Sequence, residues 1–317
     1  MKQPLLTVKN LKKSFPVDGK KIQAVDDISF SIDPGETLGL VGESGCGKST
    51  VGKLLLRLFH PSSGSIVFDN QNVINLSRKE LTVYRQNAQI IFQDPFSSLN
   101  PRMTLGEIIK EPLVIHGILN PHNNRKDSLY RLLNLVGLDE AFINRYPHEL
   151  SGGQRQRIGI ARALSLNPQF IVCDEPIAAL DVSIQAQIIN LLKNLQNDFG
   201  LTYLFISHDL AMVRHLCTRI AVMYLGQIVE IASRDQIYCE PHHPYTKGLL
   251  SAIPIPDPVL ERKRTKVFIK GEVPSPFRKP NGCIFCNRCP KAMDICHKTP
   301  PKQTQVAPNH FVTCHLY

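Results

Sequence analysis

The sequence predicts an α/β fold built on a parallel sheet, and three features indicate it. A continuous apolar strand, Thr37 to Val41, runs into a glycine-rich loop and then into a helix from about Lys48. Two further short segments, Phe170 to Cys173 and Tyr203 to Ile206, are apolar at every position, as strands buried in a parallel sheet are. A helical pattern from about Ser183 to Asp198 separates them, which is the alternation of a doubly wound sheet.

The sequence predicts an antiparallel β subdomain before the parallel sheet and a helical insertion within the α/β domain. Leu5 to Val8 and Ile28 to Ile32 are short apolar stretches with turn signals at Asp18-Gly19 and Pro34-Gly35. From about residue 95 to residue 166 the apolar pattern is helical. We expect this helical subdomain to interrupt the α/β domain.

Composition divides the chain into a main domain, 1–235, and a C-terminal extension, 236–317. Prolines become frequent after Arg234, which shortens helices and stiffens linkers. They include Pro241, Pro244, Pro254, Pro256, Pro258, Pro274, Pro276 and Pro280. The last part of the extension, 281–317, is rich in cysteine, and we expect it to form a separate segment.

Charge and hydropathy limit the partners and the location. The net charge is +10, but residues 261–317 hold eleven Lys and Arg against three acidic residues, so the main domain is nearly neutral. This distribution argues against nucleic acid as the partner of the main domain. The most apolar run, Ile220 to Ala232, is interrupted by polar residues and is shorter than the roughly 18–20 residues of a membrane span. With no signal-peptide core at the start, we expect a cytoplasmic protein.

The glycine-rich loop is a complete P-loop motif. It reads Gly42-Glu43-Ser44-Gly45-Cys46-Gly47-Lys48-Ser49-Thr50 and lies between a predicted strand and a predicted helix. Its glycines let successive backbone N–H groups face phosphates. We expect Lys48 to reach the β- and γ-phosphates of ATP and Ser49 to ligate Mg²⁺.

Two carboxylates, Asp174 and Glu175, follow a predicted buried strand directly. This is the edge at which an open α/β sheet presents its ligand groups. We expect Asp174 to hold Mg²⁺ through water and Glu175 to orient and deprotonate the attacking water. Taken alone, two acids in this position are also a common helix cap.

A second phosphate-binding helix end is predicted at Leu150-Ser151-Gly152-Gly153-Gln154. Ser151 and two glycines precede an amphipathic helix that begins at about Gln154. In isolation the pattern indicates only a good helix start; together with the P-loop it indicates a second group of phosphate contacts.

With these motifs the chain strongly resembles the ATP-binding cassette (ABC) family over about residues 5–235. The resemblance implies a P-loop NTPase fold in which the signature motif, Leu150 to Gln154, closes over ATP held by another subunit. It also implies that Gln93 is the Q-loop glutamine at the Mg²⁺ and catalytic centre and that His208 contacts the γ-phosphate. By the same resemblance, Asp181 in Ala178-Ala179-Leu180-Asp181 is the D-loop aspartate. Phe15 resembles the aromatic residue that stacks on adenine, although packing within its strand is an alternative.

A closer resemblance is to the second, F-type ATPase subunit of bacterial dipeptide and oligopeptide importers. The segments that carry it are Phe92-Gln93-Asp94-Pro95, Ser98 to Thr104, Asp181 to Gln187 and His243-Pro244-Tyr245-Thr246. It implies a heterodimer with a homologous ATPase, two membrane permease subunits and, indirectly, an external solute-binding protein. The location it implies is peripheral, on the cytoplasmic face of the bacterial inner membrane.

Other functions stay open at this stage. A related importer could carry nickel or glutathione. A soluble ABC ATPase acting on nucleic acid or ribosomes usually has two cassettes or a coiled-coil insertion, and neither is evident in the sequence. A metal-sensing regulatory subunit with weak catalysis is disfavoured because Glu175 and His208 are intact.

The tail holds five of the nine cysteines, Cys283, Cys286, Cys289, Cys296 and Cys314. Clustered thiols in a cytosolic chain suggest a metal before disulfides, and the spacing partly matches bacterial iron–sulfur runs. The importer resemblance implies a [4Fe–4S] cluster on Cys283, Cys289, Cys296 and Cys314, with Cys286 a bystander or an alternative ligand. Zinc and unliganded thiols are the alternatives. Since the catalytic motifs lie outside the tail, ATP binding is expected to survive loss of these thiols.

Overall fold

A computed structural model describes residues 3–17, 19–94, 98–119, 126–178, 180–254 and 279–317, together with 257, 262, 269, 271, 272 and 274. Several residues of the sequence-based predictions lie outside this set. They are Asp18 of the first turn, Pro95 at the predicted start of the helical region, Ala179 beside the predicted D-loop aspartate, and Pro256, Pro258 and Pro276 of the proline-rich stretch.

The strands of the described residues are β1 (Leu6–Val17), β2 (Lys20–Ile32), β3 (Thr37–Val41), β4 (Ser63–Phe68), β5 (Gln71–Asn72), β6 (Ala88–Ile91), β7 (Phe170–Asp174), β8 (Thr202–Ser207), β9 (Arg219–Tyr224), β10 (Gln227–Ser233), β11 (Gln303–Ala307) and β12 (His310–Thr313).

The α-helices are α1 (Lys48–Leu55), α2 (Arg78–Asn87), α3 (Leu105–Ile115), α4 (Lys126–Leu135), α5 (Gly152–Leu164), α6 (Val182–Phe199), α7 (Leu210–Leu216), α8 (Arg234–Cys239), α9 (Pro244–Ser251) and α10 (Asp294–Lys298). Short 3-10 turns lie at Val73–Asn75, Glu140–Asn144, Pro147–Glu149 and Cys286–Arg288. Along the described chain, no helix combines the length and the apolar character that crossing a membrane requires.

The chain forms two compact units. The helical unit comprises residues 3, 33–36 and 75–206, and the P-loop unit comprises residues 4–32, 37–74 and 207–317.

The helical unit contains three parallel strands in the order β6, β7, β8. β7 is buried at every position, as its continuous apolar sequence predicts. Helix α6 follows it and buries Ile188, Ile189, Leu192 and Leu195, which share one face at helical spacing. It ends at Gly200, whose φ of 65° is the left-handed conformation that glycine tolerates.

The P-loop unit contains an antiparallel sheet in the order β2, β1, β4, β5, which confirms the antiparallel strands predicted near the amino terminus. A second run of strands has the order β11, β12, β10, β9, β3, in which β3 and β9 are parallel. The mixed α/β fold with a P-loop is therefore confirmed. One feature was not predicted: the C-terminal hairpin of β11 and β12 extends this run by pairing with β10.

A buried carboxylate fixes that hairpin. Glu230 of β10 is fully buried and accepts hydrogen bonds from the ring Nε2 of His310 at 2.8 Å and from the backbone N–H groups of His242 at 2.7 Å and His243 at 3.0 Å. Three hydrogen-bond donors satisfy this buried carboxylate. Glu230 therefore connects the residues just before α9 to the C-terminal hairpin.

Candidate active site

The P-loop lies between β3 and α1, as predicted. Gly47 precedes the helix with φ of 106°, and a Cβ there would lie 2.2 Å from the carbonyl oxygen of Ala24, so only glycine fits. Lys48 is buried, and its ammonium donates to the carbonyl oxygens of Gly42 at 2.8 Å and Glu43 at 3.1 Å. The loop thus carries a cation directly beside a helix N-terminus, where a phosphate chain binds favourably. Ser49 and Thr50 lie in the first turn of α1, which begins at Lys48.

Glu43 of the P-loop is held by residues distant in sequence. Arg288 of the cysteine-rich segment donates from two guanidinium nitrogens to its carboxylate, at 2.6 and 3.0 Å. The backbone N–H of Glu43 donates to the hydroxyl of Tyr245 at 2.9 Å. Sequence reasoning missed both partners. Tyr245 belongs to a segment that carried the importer resemblance, whereas no motif indicated Arg288.

Glu175 follows β7 and is held in an uncommon conformation. Its φ is 46°, in the left-handed region that residues with side chains occupy rarely. Its backbone N–H donates to the carbonyl oxygen of Ile206 at 3.0 Å. The side-chain amide of Gln93 donates to its carboxylate at 3.1 Å. Asp174, the last residue of β7, is buried beside it.

Ser151 caps helix α5 as predicted. Its hydroxyl accepts from the backbone N–H of Gln154 at 3.3 Å, and the Gln154 side chain accepts from the backbone N–H of Ser151 at 3.0 Å, which completes a capping box. Gly152 and Gly153 form the first turn. A Cβ on Gly153 would lie 2.6 Å from Cγ2 of Ile184, so packing against α6 requires glycine there.

Two residues assigned by resemblance lie next to helix starts. Asp181 directly precedes α6, and its side chain is exposed. His208 follows β8 and is exposed, with Asp209 capping helix α7 next to it. Exposure at these positions leaves both side chains accessible to a nucleotide or to another subunit.

Phe15 lies in β1 and contacts Phe59 edge to face, with ring centroids 5.4 Å apart. The Lys13 ammonium lies 4.8 Å from the centre of the Phe15 ring. The ring is half-buried, so packing in the strand and stacking on a base are both compatible with its position.

The predicted site residues fall into two groups. The P-loop, Phe15 and His208 belong to the P-loop unit. The helical unit holds Gln93, Asp174 and Glu175, together with the signature residues and Asp181. The local geometry in the P-loop unit is that of a phosphate-binding loop. In the helical unit it is that of a positioned carboxylate.

The tail thiols lie close enough to influence one another. Burial, with a smaller contribution from neighbouring thiols of which Cys296 is the first, raises the pKa of Cys283 to about 12. Burial also raises the pKa of Cys289 and of Cys314, again with Cys296 among the causes. A bound cation would be needed to hold all of them as thiolates, the form in which cysteine binds a metal. Within the described residues, however, no three His, Cys, Asp or Glu side chains are arranged to hold a metal ion.

Two family models match the chain. One, described as ABC transporter, matches residues 25–178, and one, described as oligopeptide/dipeptide transporter, C-terminal region, matches residues 229–296. The second match includes Cys283, Cys286, Cys289 and Cys296 of the tail.

Curated relatives match over nearly their whole length. The chain is 57% identical to the putative oligopeptide transport ATP-binding protein YkfD of Bacillus subtilis, over 99% of this chain and 96% of the relative. It is 51% identical to the oligopeptide transport ATP-binding protein AppF of the same organism, over 99% and 98%. A putative peptide import ATP-binding protein of Brucella ovis is 52% identical, over 98% and 97%.

Solved structures of similar chains cover the larger part of this one. A dimeric post-hydrolysis state of the ATP-binding cassette MJ0796 with bound ADP and Pi matches with a TM-score of 0.66 and 32% identity, over 72% of this chain and 98% of the other. The structure of cbiO1 from Clostridium perfringens, part of the ABC transporter complex cbiONQ, matches with a TM-score of 0.66 and 28% identity, over 75% and 92%.

Proposed function

Because this chain belongs to the ABC transporter family, in the group of oligopeptide and dipeptide transport ATP-binding proteins, we propose that it hydrolyses ATP to drive the import of short peptides. The observation that carries the hydrolytic role is Glu175, which follows a buried strand at positive φ and is held by Gln93. The match of residues 229–296 to the peptide-transporter C-terminal region supports the substrate class.

We infer that the residues act on ATP as follows. The N–H groups of the P-loop and the ammonium of Lys48 bind the phosphate chain, and His208 contacts the γ-phosphate. Glu175 takes a proton from water as the water oxygen bonds to the γ-phosphorus and the bond to the ADP oxygen breaks. Phe15 stacks on the adenine.

Magnesium fits the donors that this chain offers. Ser49, Gln93 and Asp174 supply hydroxyl, amide and carboxylate oxygens, which are the ligands that Mg²⁺ prefers. Bound Mg²⁺ would neutralise charge on the phosphate oxygens. The side chain of Gln93 would then serve two groups, the ion and the carboxylate of Glu175.

A second ATPase subunit completes the site in this proposal. Ser151 to Gln154 form a capped helix N-terminus with glycines in its first turn, which suits a phosphate approaching from another molecule. Asp181 would lie at the same subunit interface. The dimeric state of MJ0796 supports pairing of cassettes, and we propose a homologous but different partner here.

We assign a surface of the helical unit to contact with the permease. Ile115 and Ile118 are 71% and 54% exposed, and a neighbouring cleft of 560 Å³ is lined by residues of α3 and of the 3-10 turn at Glu140–Asn144. Exposed apolar side chains beside a cleft support contact with another protein. The chain would then be peripheral on the cytoplasmic face of the inner membrane, with two permease subunits and, indirectly, an external solute-binding protein.

For the tail we propose a [4Fe–4S] cluster on Cys283, Cys289, Cys296 and Cys314. The support for a cluster is the spacing of the cysteines, which partly matches bacterial iron–sulfur runs, and zinc stays the alternative. We also propose, from the sequence, that the main domain ends at residue 235 and that the C-terminal extension begins at residue 236.

The substrate is tested with the chain assembled with its permease, partner ATPase and solute-binding protein in proteoliposomes. Di- to pentapeptides, Ni²⁺ and glutathione are each added outside, and ATP hydrolysis inside is measured. Stimulation by peptides alone is expected. Stimulation by Ni²⁺ or glutathione without any response to peptides would replace the proposed substrate with one of those solutes.

A further inference from the structure

An ion pair joins the cysteine-rich segment to the P-loop. Arg288 lies between Cys286 and Cys289, and its two terminal nitrogens donate to the two carboxylate oxygens of Glu43 at 2.6 and 3.0 Å. The side chain of Arg288 is 7% exposed and that of Glu43 is 25% exposed. A two-pronged contact of this kind is strong and fixes orientation as well as distance.

Aromatic side chains hold Arg288 in place. Its guanidinium lies 5.8 Å from the ring centre of Tyr224, at the end of β9. Phe285 packs against Tyr224 and Tyr245, with ring centroids 5.2 and 5.4 Å apart. The hydroxyl of Tyr245 in turn accepts from the backbone N–H of Glu43. The cysteine-rich segment therefore holds the Glu43 side chain directly through Arg288, and through Phe285 it packs against Tyr245, which holds the Glu43 backbone.

Glu43 is the second residue of the loop that binds the phosphates of ATP. A carboxylate there repels the nucleotide unless its charge is balanced and its direction is fixed. Arg288 does both, because it neutralises the carboxylate and holds it by a fork of two hydrogen bonds. The Lys48 ammonium donates to the backbone carbonyl oxygen of Glu43. A shift of Glu43 would therefore also move a hydrogen-bond partner of Lys48.

We propose that Arg288 is a positioning residue for ATP binding, through which the cysteine-rich segment sets the nucleotide affinity of the P-loop. This role rests on the proposed function. The sequence leads us to expect that ATP binding does not depend on the tail, and this role replaces that expectation. Disorder of the segment would free the Glu43 carboxylate and weaken ATP binding, while the residues that carry out hydrolysis stay in place.

The test measures Mg-ATP dissociation constants of the full-length chain by calorimetry, with folding checked by circular dichroism melting. Arg288→Gln is expected to weaken binding about tenfold or more, and Arg288→Lys less, because a lysine balances the charge without the fork. The surface pair of Arg234 and Asp235 offers a control, and Arg234→Gln should bind ATP as the parent does.

The double variant E43Q/R288Q separates positioning from a merely structural role. Removing the freed carboxylate should restore most of the affinity that Arg288→Gln loses, since the repulsion is gone. In the assembled transporter, Arg288→Gln should raise KM for ATP about tenfold and leave kcat within about twofold.

Equal affinity of parent and folded Arg288→Gln would overturn this role, and so would a double variant as weak as Arg288→Gln alone. If Arg288→Gln does not fold, Arg288→Lys decides: affinity reduced about threefold or more supports the role, and unchanged affinity overturns it. A parent chain that fails to bind Mg-ATP would overturn the proposed function itself, and this role with it.

Discussion

The side-chain amide of Gln93 donates a hydrogen bond of 3.1 Å to the carboxylate of Glu175, across 82 positions of the chain. The register of β6 and β7 pairs Ile91 with Cys173, so each of the two residues lies two positions beyond a paired residue at the same end of neighbouring parallel strands. The amide thereby fixes the carboxylate that we propose as the general base.

Loss of this hydrogen bond should slow hydrolysis. A hydrogen bond to a charged group contributes about 1.5–3 kcal/mol, so Gln93→Ala should lower kcat of the assembled transporter about tenfold or more. Gln303→Ala, at an exposed residue of β11, serves as the control and should retain the parent rate. A parent-like kcat in Gln93→Ala would show that Gln93 does not position the base.

Lys48→Ala should abolish measurable ATP binding. The variant keeps the N–H groups of the loop but loses the buried cation that we propose to bind the phosphates. Binding of Mg-ATP to the full-length chain is measured by calorimetry beside Lys193→Ala, an exposed lysine of α6. Only the Lys48 variant should lose affinity, and unchanged binding in it would remove Lys48 from the site.

Iron in the tail is tested by anaerobic purification and metal analysis. A cluster on four cysteines gives brown, oxygen-sensitive protein with about four iron per chain. Cys296→Ser should lose the colour, whereas Cys239→Ser should keep it, because Cys239 is exposed and lies outside the cysteine-rich segment. Stoichiometric zinc without iron would defeat the cluster proposal and leave the zinc alternative.

Stability should depend on pH through His243. Burial lowers the pKa of His243 to about 3, and its Nδ1 accepts a hydrogen bond from the backbone N–H of Tyr245. The unfolded chain takes up this proton near pH 6.5 and the folded chain does not, so stability falls as the pH falls from about 6.5 towards 3. At pH 5 the loss from this group is about 2 kcal/mol relative to pH 7.

His243→Asn isolates that contribution, because asparagine also caps a helix start but does not titrate. Urea unfolding of parent and variant is compared at pH 7.5 and pH 5. The parent should lose about 2 kcal/mol more than the variant between the two pH values. An equal loss in both proteins would mean that His243 takes up a proton in the folded state as readily as in the unfolded state.

The elements that the sequence predicts well are those with strong local signals. β7 is apolar along Phe170 to Cys173 and has almost the predicted bounds, and helix α6 extends the predicted Ser183 to Asp198 by one residue at each end. The capping box of Ser151 and Gln154 fixes the start of α5 two residues before the predicted position. In each case neighbouring residues decide the structure.

The parts that sequence reasoning did not find depend on contacts between distant residues. Strand β11 is polar, and the hairpin it forms with β12 is fixed by pairing with β10 and by the hydrogen bond from His310 to the buried Glu230. Arg288 meets Glu43 across 245 positions, and its own neighbours give no sign of that partner. Periodicity and motif spacing carry no information about such pairs.

The measurement that tests the central claim most directly is single-turnover hydrolysis by the transporter assembled with Glu175→Gln. The variant should bind Mg-ATP with parent-like affinity, because the P-loop and Lys48 are intact, and should hydrolyse it about 10²–10⁴ times more slowly, the usual contribution of a positioned base. Glu240→Gln, an exposed carboxylate, should behave as the parent. Parent-like turnover in Glu175→Gln would contradict the assignment of Glu175 as the base.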